Sequence, residues 1–483
     1  MSRTPVTDVI ILLPGITGSV LQKDGKDVWA LSAGSAVRGL LSLGRGIRDL
    51  ELHGDHPDAD DLGDGVTAPR VMPDTHLIPG LWKIDGYRKV ATTIRKELDV
   101  TPGINFLEFP YDWRRDNRAS ARRLARQSHD WLKAWRERSG NADAKLILIG
   151  HSMGGLVARY FLEVLDGWKD TRLLITFGTP YRGSLNALDF IANGMTKVLG
   201  PVTLMDLTSL LRSFTSVYQL LPIYPCVDPG DGTLGRVTEV SGIPGLDPGR
   251  AVQALDFHRA IRQAVEHHQR DTEYRERGYK IKPLAGIFQP TSQSAQIGDG
   301  ELKMLRSYRG EDQGGDGTVP SISATPIELS NQDLEVYVRE RHASLQNANF
   351  ALDQVIGVIR RQRVDQSQVF APGTGISLDL ADAYLAGAPV TVRALPEVEW
   401  AALNVKVVDV ATGTEMPAVP MRAGAEGWHE AEVGPFPEST YRLTVRGEGD
   451  INPVTDIFAV FDEGSDPRRL QRRHPDSDSR YGG

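Results

Sequence analysis

Residues 146–155 read Leu-Ile-Leu-Ile-Gly-His-Ser-Met-Gly-Gly, and this stretch decides the fold. Four consecutive apolar residues are typical of a short strand buried on both faces of a sheet. The residues from Met153 to Leu165 follow with the spacing of a helix. Gly150, Ser152 and Gly154 fit the pattern G-x-S-x-G at the junction. A strand that turns sharply into a helix through this pattern exposes the serine hydroxyl at a helix N-terminus, where negative charge is favoured.

The segments on either side repeat the alternation of strand and helix. Further strands are predicted at 9–13, 104–109, 173–177, 284–288 and 334–338, and further helices at 36–43, 87–98, 117–136 (capped by Asn117) and 345–361. This alternation predicts an α/β fold, a doubly wound and mostly parallel sheet with helices on both faces, formed by residues 1–365.

The pattern changes after a Pro/Gly linker at 370–375. Short segments that alternate apolar and polar residues, such as 390–394, 405–410 and 441–445, predict a small all-β sandwich of immunoglobulin-like type at 376–463. Residues 464–483 are charged and rich in turn formers, and we expect them to be a disordered tail.

Composition excludes several classes of protein. The chain has 483 residues and a net charge of -8, which argues against nucleic-acid binding through a basic face. Its single cysteine, Cys226, excludes a disulfide scaffold and a Cys-rich zinc site. No run of about 18 uncharged apolar residues occurs, and the N-terminus lacks the features of a signal peptide. We therefore expect a cytoplasmic protein.

A serine hydroxyl is a poor nucleophile until a base takes its proton, so Ser152 needs a partner histidine. In folds with this turn the chain order is serine, acid, histidine. His342 is the candidate base, because it follows the strand predicted at 334–338 and lies at the carboxyl edge of the sheet. His429 falls in the predicted sandwich and His474 in the tail.

The acid is expected between the serine and the histidine. Asp316 lies among glycines in 314–317, where the backbone can bend to bring a carboxylate to the imidazole. Asp299 and Asp312 are alternatives. Asp-Gly is also a common turn dipeptide, so the segment fits a simple hairpin as well.

Two backbone N–H groups are needed to hold the developing oxyanion. One is predicted from Met153, the residue after the serine, and the other from the Gly-rich loop after the strand at 9–13. In that loop Ile16 is the first candidate and Thr17 the second.

Seven blocks along the chain resemble the lecithin:cholesterol acyltransferase-like α/β-hydrolases, which include phospholipid:diacylglycerol acyltransferases and related phospholipases. In order they are Leu13-Pro14-Gly15 with Gly18-Ser19, Ile78-Pro79-Gly80-Leu81, Tyr111-Asp112-Trp113-Arg114, Gly150-His151-Ser152-Met153-Gly154-Gly155, Phe177-Gly178-Thr179-Pro180 with Gly183-Ser184, Gly315-Asp316-Gly317-Thr318-Val319-Pro320, and His342. The resemblance covers about residues 8–350. It implies the α/β-hydrolase fold and a triad of Ser152, Asp316 and His342. Chemistry of this kind requires no metal and no cofactor.

Other residues are predicted to contact the substrate. Thr17 and Tyr181 are candidates, and Trp113 in the Tyr111–Arg114 block could form the wall of an acyl pocket. The same block fits a structural clamp of aromatic and ion-pair contacts, which is the interpretation we favour. The apolar segment 185–225 is predicted to be a lid that forms an acyl pocket and makes peripheral contact with a membrane, or else to pack on the core.

Three hypotheses of function follow. The first is a serine hydrolase that cleaves lipid acyl esters, a lipase or phospholipase, with O-acyl transfer to an alcohol as a variant. The second is a carboxylesterase acting on a soluble ester. The third is a partner-binding protein whose β-sandwich binds a protein or a glycan. That sandwich could equally direct an enzyme to such a partner.

Overall fold

The structure is a computed structural model of the chain. It describes residues 3–29, 48–73, 76–78, 82–199, 202–298, 300–330, 336–360, 375–398, 401–448 and 451–462. The helix predicted at 36–43, most of the linker at 370–375 and the tail at 464–483 lie outside these ranges.

Six parallel strands form the central sheet. In chain order they are β1 (Val9–Leu13), β2 (Phe106–Glu108), β3 (Leu146–His151), β4 (Thr171–Phe177), β5 (Lys280–Gly286) and β6 (Val336–Val338). They lie in the order β6-β5-β4-β3-β1-β2, and each neighbouring pair is parallel. β1 and β3 are buried along their whole length, as their apolar sequences predict. β5 begins earlier than predicted, because its first residues are polar and only partly buried.

Helices pack on both faces of this sheet, since alternate residues of β1 belong to two different apolar clusters. On one face lie α2 (Asn117–Ser139), α3 (Met153–Val164) and α7 (Pro248–His268), and on the other α1 (Arg88–Glu97) and α9 (Asn349–Ile359). The predicted α/β architecture is therefore confirmed. The closing helix is shorter than predicted, because a separate 3-10 turn, Leu345–Asn347, precedes α9.

Shorter elements surround the sheet. The helices are α4 (Leu185–Ala192), α5 (Thr208–Ser213), α6 (Thr215–Gln219) and α8 (Thr272–Arg277). The strands pair as Thr4–Pro5 with Leu98–Asp99, Ser19–Lys23 with Lys26–Trp29 and Val66–Val71, His76–Ile78 with Trp82–Ile84, Thr196–Leu199 with Val202–Asp206, and Ser294–Gly298 with Val227–Asp228 and Glu301–Leu305.

The start of α2 differs from the prediction, and the two residues before its cap form ion pairs with Asp55 and Asp64. Its cap is Asp116, whose carboxylate accepts from the N–H of Arg118 at 2.8 Å; the predicted cap, Asn117, is already the first helical residue. Both residue types cap helices well, so sequence preference alone does not separate them. Just before the cap, Arg115 pairs with Asp55 at 3.3 Å and the buried Arg114 with Asp64 at 2.8 Å.

The C-terminal part is a sandwich of two mainly antiparallel sheets around one apolar cluster. One sheet contains β7 (Ile376–Asp379), β9 (Val390–Pro396), β12 (Arg422–Ala423) and β13 (His429–Val433); the other contains β8 (Ala383–Leu385), β10 (Leu403–Asp409), β11 (Val419–Pro420), β14 (Ser439–Gly447) and β15 (Val454–Phe461). Tyr441 donates its hydroxyl to the carbonyl of Pro437 at 2.8 Å, as at the tyrosine corner of immunoglobulin-like sandwiches.

β15 joins the two parts of the molecule. Phe458 and Val460 belong to the core of the sandwich, whereas Ile457, Ala459 and Phe461 belong to the main core of the α/β part. Successive side chains of a strand point to opposite faces, so this strand is buried between the two parts. The sequence analysis did not predict β15, because its continuous apolar run lacks the alternation that marked the other sandwich strands.

We predict that a single methyl group at Gly154 disturbs the packing of α3 on β1. A Cβ there would lie 2.4 Å from the carbonyl oxygen of Pro14 and 2.7 Å from that of Leu13. Gly154→Ala should therefore lower the free energy of unfolding by about 1–3 kcal/mol in urea denaturation, as overpacking does. The control is Gly249→Ala in α7, where the nearest atom is a side-chain oxygen of Asp247 at 3.3 Å and no backbone atom lies within 4 Å among the contacts of that position. Equal stability of the two variants would contradict this account of the packing.

Candidate active site

Ser152 lies at the junction of β3 and α3, at the carboxyl edge of the sheet. Its backbone has φ 51° and ψ -124°, a conformation that is rare for a residue with a side chain. The N–H of Ser152 donates to the carbonyl of Phe177 at 2.8 Å, which ties the turn to β4. A Cβ at Gly150 would lie 2.8 Å from the backbone N of Gly155, so the turn has no room for a larger residue there.

The structure brings Ser152, His342 and Asp316 together in one hydrogen-bonded chain. His342 Nε2 lies 2.9 Å from Ser152 Oγ, and His342 Nδ1 lies 2.7 Å from Asp316 Oδ2. Since a carboxylate only accepts, Nδ1 carries the proton and Nε2 is free to accept from the serine hydroxyl. All three side chains are buried. The arrangement is that of a nucleophile, a general base and an orienting acid.

The acid is held from several sides. Asp316 Oδ1 accepts from the N–H groups of Thr318 at 2.9 Å and Val319 at 2.7 Å, and the Asp316 carbonyl accepts from the N–H of His342 at 2.8 Å. Gly178, at φ 53°, lies against the Asp316–His342 pair, since a Cβ there would be 2.8 Å from Asp316 Oδ2. The backbone N–H groups thus engage Oδ1 of Asp316, and the other carboxylate oxygen, Oδ2, faces the imidazole of His342.

The other candidates for acid and base lie elsewhere or outside the described residues. Asp312 bonds the N–H of Gly314 at 2.8 Å and the side chain of Gln293. His429 lies in β13 of the sandwich, where Nδ1 contacts the carbonyl of Gly427 at 3.2 Å. Asp299 and His474 are not among the described residues.

The predicted oxyanion loop contacts the serine. A Cβ at Gly15 would lie 2.9 Å from Ser152 Cβ. The backbone N–H groups of Ile16, Thr17 and Met153 donate to no other described residue, and their role as oxyanion donors stays a prediction. Thr17 has φ 62°, its carbonyl accepts from the Trp29 indole at 3.2 Å, and its buried Oγ1 has no hydrogen-bond partner within the described ranges.

A second hydrogen-bonded chain, which the sequence analysis missed, links this loop to the histidine. The N–H of Gly15 donates to Tyr87 Oη at 2.7 Å, Tyr87 Oη lies 2.7 Å from His151 Nδ1, and His151 Nε2 lies 3.2 Å from the His342 carbonyl. Because a carbonyl only accepts, Nε2 carries the proton and Nδ1 accepts from the Tyr87 hydroxyl. Burial, with a smaller effect of the neighbouring His342, lowers the pKa of His151 to about 3, so this ring stays neutral at pH 7.

Residues 83–277 match the sequence model of the lecithin:cholesterol acyltransferase family. The predicted family resemblance is thereby confirmed. The matched segment contains Ser152 and the blocks at 111–114 and 177–180, whereas Asp316 and His342 lie beyond its end. The family match therefore does not test Asp316 and His342, whose roles as acid and base stay predictions.

A curated relative and two solved structures resemble the chain over different lengths. An uncharacterized protein of Saccharomyces cerevisiae is 28% identical over 176 residues, which are 35% of this chain and 23% of that protein. The lipase BlEst2 of Bacillus licheniformis in its propeptide form is 14% identical, with a TM-score of 0.32 over 95% of this chain and 75% of that one. Phospholipase PlaB of Legionella pneumophila is 9% identical, with a TM-score of 0.22 over 95% of this chain and 89% of that one.

The Tyr111–Arg114 block of the LCAT-like segment is packed as a clamp. Trp113 is buried, donates to the carbonyl of Ser19 at 3.0 Å and stacks edge-on against Trp29 and Phe214. The buried Arg114 pairs with Asp112 at 2.6 Å. These contacts agree with the structural interpretation of the block. Contact of Trp113 with substrate stays a prediction.

Tyr181 is buried as well. Its hydroxyl lies 2.8 Å from Thr176 Oγ1 in β4, and burial raises the pKa of Tyr181 above its ordinary value. Contact of Tyr181 with substrate stays a prediction.

The apolar side chains of the predicted lid join the main core. Leu188, Ile191, Leu211 and Phe214 are examples, each almost inaccessible to solvent. Among the residues whose side chains the structure describes, the only exposed large hydrophobic ones are Val252 and Ile327. The packing of these side chains agrees with the packing alternative, and a lid that forms an acyl pocket and contacts a membrane stays a prediction. None of the described helices is both long and apolar enough to cross a lipid bilayer.

We predict that the Tyr87 hydroxyl stabilises the site measurably. Tyr87→Phe leaves the Gly15 N–H and His151 Nδ1 without partners, which should lower the free energy of unfolding by about 1–3 kcal/mol. The matched control is Tyr160→Phe, since the buried ring of Tyr160 stacks on Phe257 and its hydroxyl bonds no described residue. Urea unfolding followed by circular dichroism measures both. A Tyr87→Phe protein as stable as the control would refute the linked chain.

Proposed function

We propose that this chain is a serine hydrolase that cleaves acyl esters through an acyl-serine intermediate. The observation that carries the proposal is the chain Ser152 Oγ–His342–Asp316, with contacts of 2.9 and 2.7 Å. A serine on a strained turn, within hydrogen-bond distance of a neutral imidazole that a carboxylate orients, is the arrangement that nucleophilic catalysis requires.

The first half of the reaction follows from these positions. His342 Nε2 takes the proton of Ser152 as Oγ forms a bond to the ester carbonyl carbon. The N–H of Met153 and that of Ile16 or Thr17 hold the oxyanion of the tetrahedral intermediate. Asp316 stabilises the imidazolium without taking its proton. The intermediate collapses, His342 gives the proton to the leaving alkoxide, and the alcohol departs from the acyl-serine.

Water completes the cycle. His342 takes a proton from water as the water oxygen attacks the acyl carbon of the acyl-serine, which gives a second tetrahedral intermediate. When that intermediate collapses, its bond to Ser152 Oγ breaks, His342 returns the proton to Oγ, and the acid leaves. The residues of this chain supply every proton transfer in the sequence.

Lipid esters are the substrates we propose. The match to a family named for the transfer of acyl groups from lecithin to cholesterol supports this class. The same match supports a second candidate, O-acyl transfer, in which an alcohol replaces water as the acyl acceptor. Peripheral contact with a membrane and a protein or glycan partner for the sandwich stay predictions.

We predict that the wild-type protein releases fatty acid and lysophospholipid from mixed phospholipid vesicles, and that Ser152→Ala does not. Mass spectrometry of the lipids measures both products. Ester of an added long-chain alcohol, formed only by the wild type, would indicate transfer. If p-nitrophenyl butyrate is cleaved but vesicles are not, the substrate is a soluble ester. Products from both proteins, or from neither on all substrates, would contradict the proposal.

The acid is tested in the same assay. Asp316→Asn should lower kcat by about 10³- to 10⁴-fold, because an amide no longer holds the imidazole in the required tautomer. The matched control is Asp312→Asn, four residues earlier in the same loop, which should change kcat by less than about threefold because Asp312 bonds Gly314 and Gln293 and not His342. Equal losses from the two variants would remove Asp316 from the mechanism.

A further inference from the structure

The loop that carries His342 rests on the β-sandwich. The three residues directly before His342 each contact the sandwich. Arg339 pairs with Glu397 at 3.2 Å, Glu340 accepts from the N–H of Thr455 at 3.3 Å, and Arg341 pairs with Asp456 at 2.8 Å. Arg341 also donates to the carbonyl of Leu378. The Asp456 side chain is wholly buried, so this ion pair is shielded from water.

The loop that carries Asp316 is also linked to the sandwich, through β7, the strand that contains Leu378. Gln289 follows β5, and its N–H donates to the carbonyl of Gly315 at 2.9 Å, directly before Asp316. The Gln289 side chain donates to the carbonyl of Ile376 in β7 at 3.2 Å. The base is thus one residue away from a contact with the sandwich, and the acid is linked to the sandwich through Gly315 and Gln289.

The strand that leads into this loop is short and lies at the edge of the central sheet. β6 has three residues, and among the described strands it pairs only with β5. Three residues separate its end at Val338 from His342, with no further helix or strand between them. The sandwich, in contrast, is fixed to the α/β core, because β15 is buried on both faces.

We propose that the β-sandwich is a positioning element for the catalytic histidine, acting chiefly through Arg341, with Gln289 as the lesser contact on the acid side. The inference rests on the proposed function of the triad. Proton transfer from Ser152 depends on a distance of 2.9 Å, and a displacement of about 1 Å at a reacting group can cost about 100-fold in rate. The competing interpretation is that these contacts only hold the two parts of the chain together.

Arg341→Met tests the two interpretations against each other, since it keeps the apolar stem and removes the charge. We expect kcat for p-nitrophenyl butyrate to fall at least about tenfold while KM changes less than about threefold, because substrate binding is untouched and alignment is lost. Arg341→Lys should restore part of kcat, since an ammonium can still pair with Asp456.

The matched control is Arg172→Met. Arg172 pairs at 2.7 Å with Asp8, which is also buried, but this pair lies at the amino edge of the sheet, where β1 and β4 begin. It should lose stability as Arg341→Met does and keep kcat. A protein with Arg341→Met that unfolds more easily yet turns over like the control would overturn the positioning role.

Hydrogen exchange gives a readout that needs no turnover. In Arg341→Met the amides of 338–345 should exchange faster than in the wild type, whereas those of β3 should not change. Unchanged exchange at 338–345 would overturn the proposal even if the wild type proved inactive on every ester. If only the proposed function is wrong, Arg341→Met will still speed exchange at 338–345, but the wild type will show no hydrolysis that depends on Ser152.

Discussion

The strained turn at Ser152 is the constraint on which the rest of the site depends. A side-chain-bearing residue at φ 51° costs on the order of 1–3 kcal/mol unless its surroundings enforce it. Here two neighbours do so, since β4 accepts from the N–H of Ser152 through Phe177 and Thr179 donates to its carbonyl at 2.9 Å. Gly154 lets α3 approach the end of β1 within contact distance. The turn is therefore held by contacts with the ends of β1 and β4 as well as by its own strand and helix.

Much of this could be predicted from the sequence, for physical reasons that are visible in particular residues. The runs at 9–13 and 146–149 predicted central strands, because a short, unbroken apolar run bounded by glycine or proline is typical of a strand buried on both faces. Chain order and the glycine-rich setting singled out Asp316 and His342, and the structure places both beside Ser152. Their roles as acid and base remain a proposal.

The missed features all depend on contacts between distant segments. Tyr87 and His151 are 64 residues apart and carry no local signal of their hydrogen bond. The contact of Arg341 with Asp456 requires the placement of one domain against another, which spacing does not report. Of these residues only His151 lies in a sequence motif, directly before Ser152. The motif carries no information on the hydrogen bond of His151 with Tyr87.

The structure places the sandwich in direct contact with the α/β part, which the sequence analysis did not predict. Its alternating strands pointed to a separate module for a partner, yet β15 completes the core of the α/β part. His342 follows the short edge strand β6, and the loop between them contacts the sandwich through the pair of Arg341 and Asp456. The positioning role proposed for the sandwich rests on this contact.

The most direct test of the central claim is the site of covalent modification by a fluorophosphonate probe, read by peptide mass spectrometry. The account predicts a single adduct on Ser152 in the folded wild type, formed at least about 100-fold more slowly in His342→Ala, because the histidine is the base that activates the serine. An unmodified Ser152, or a serine that reacts equally fast without His342, would contradict it.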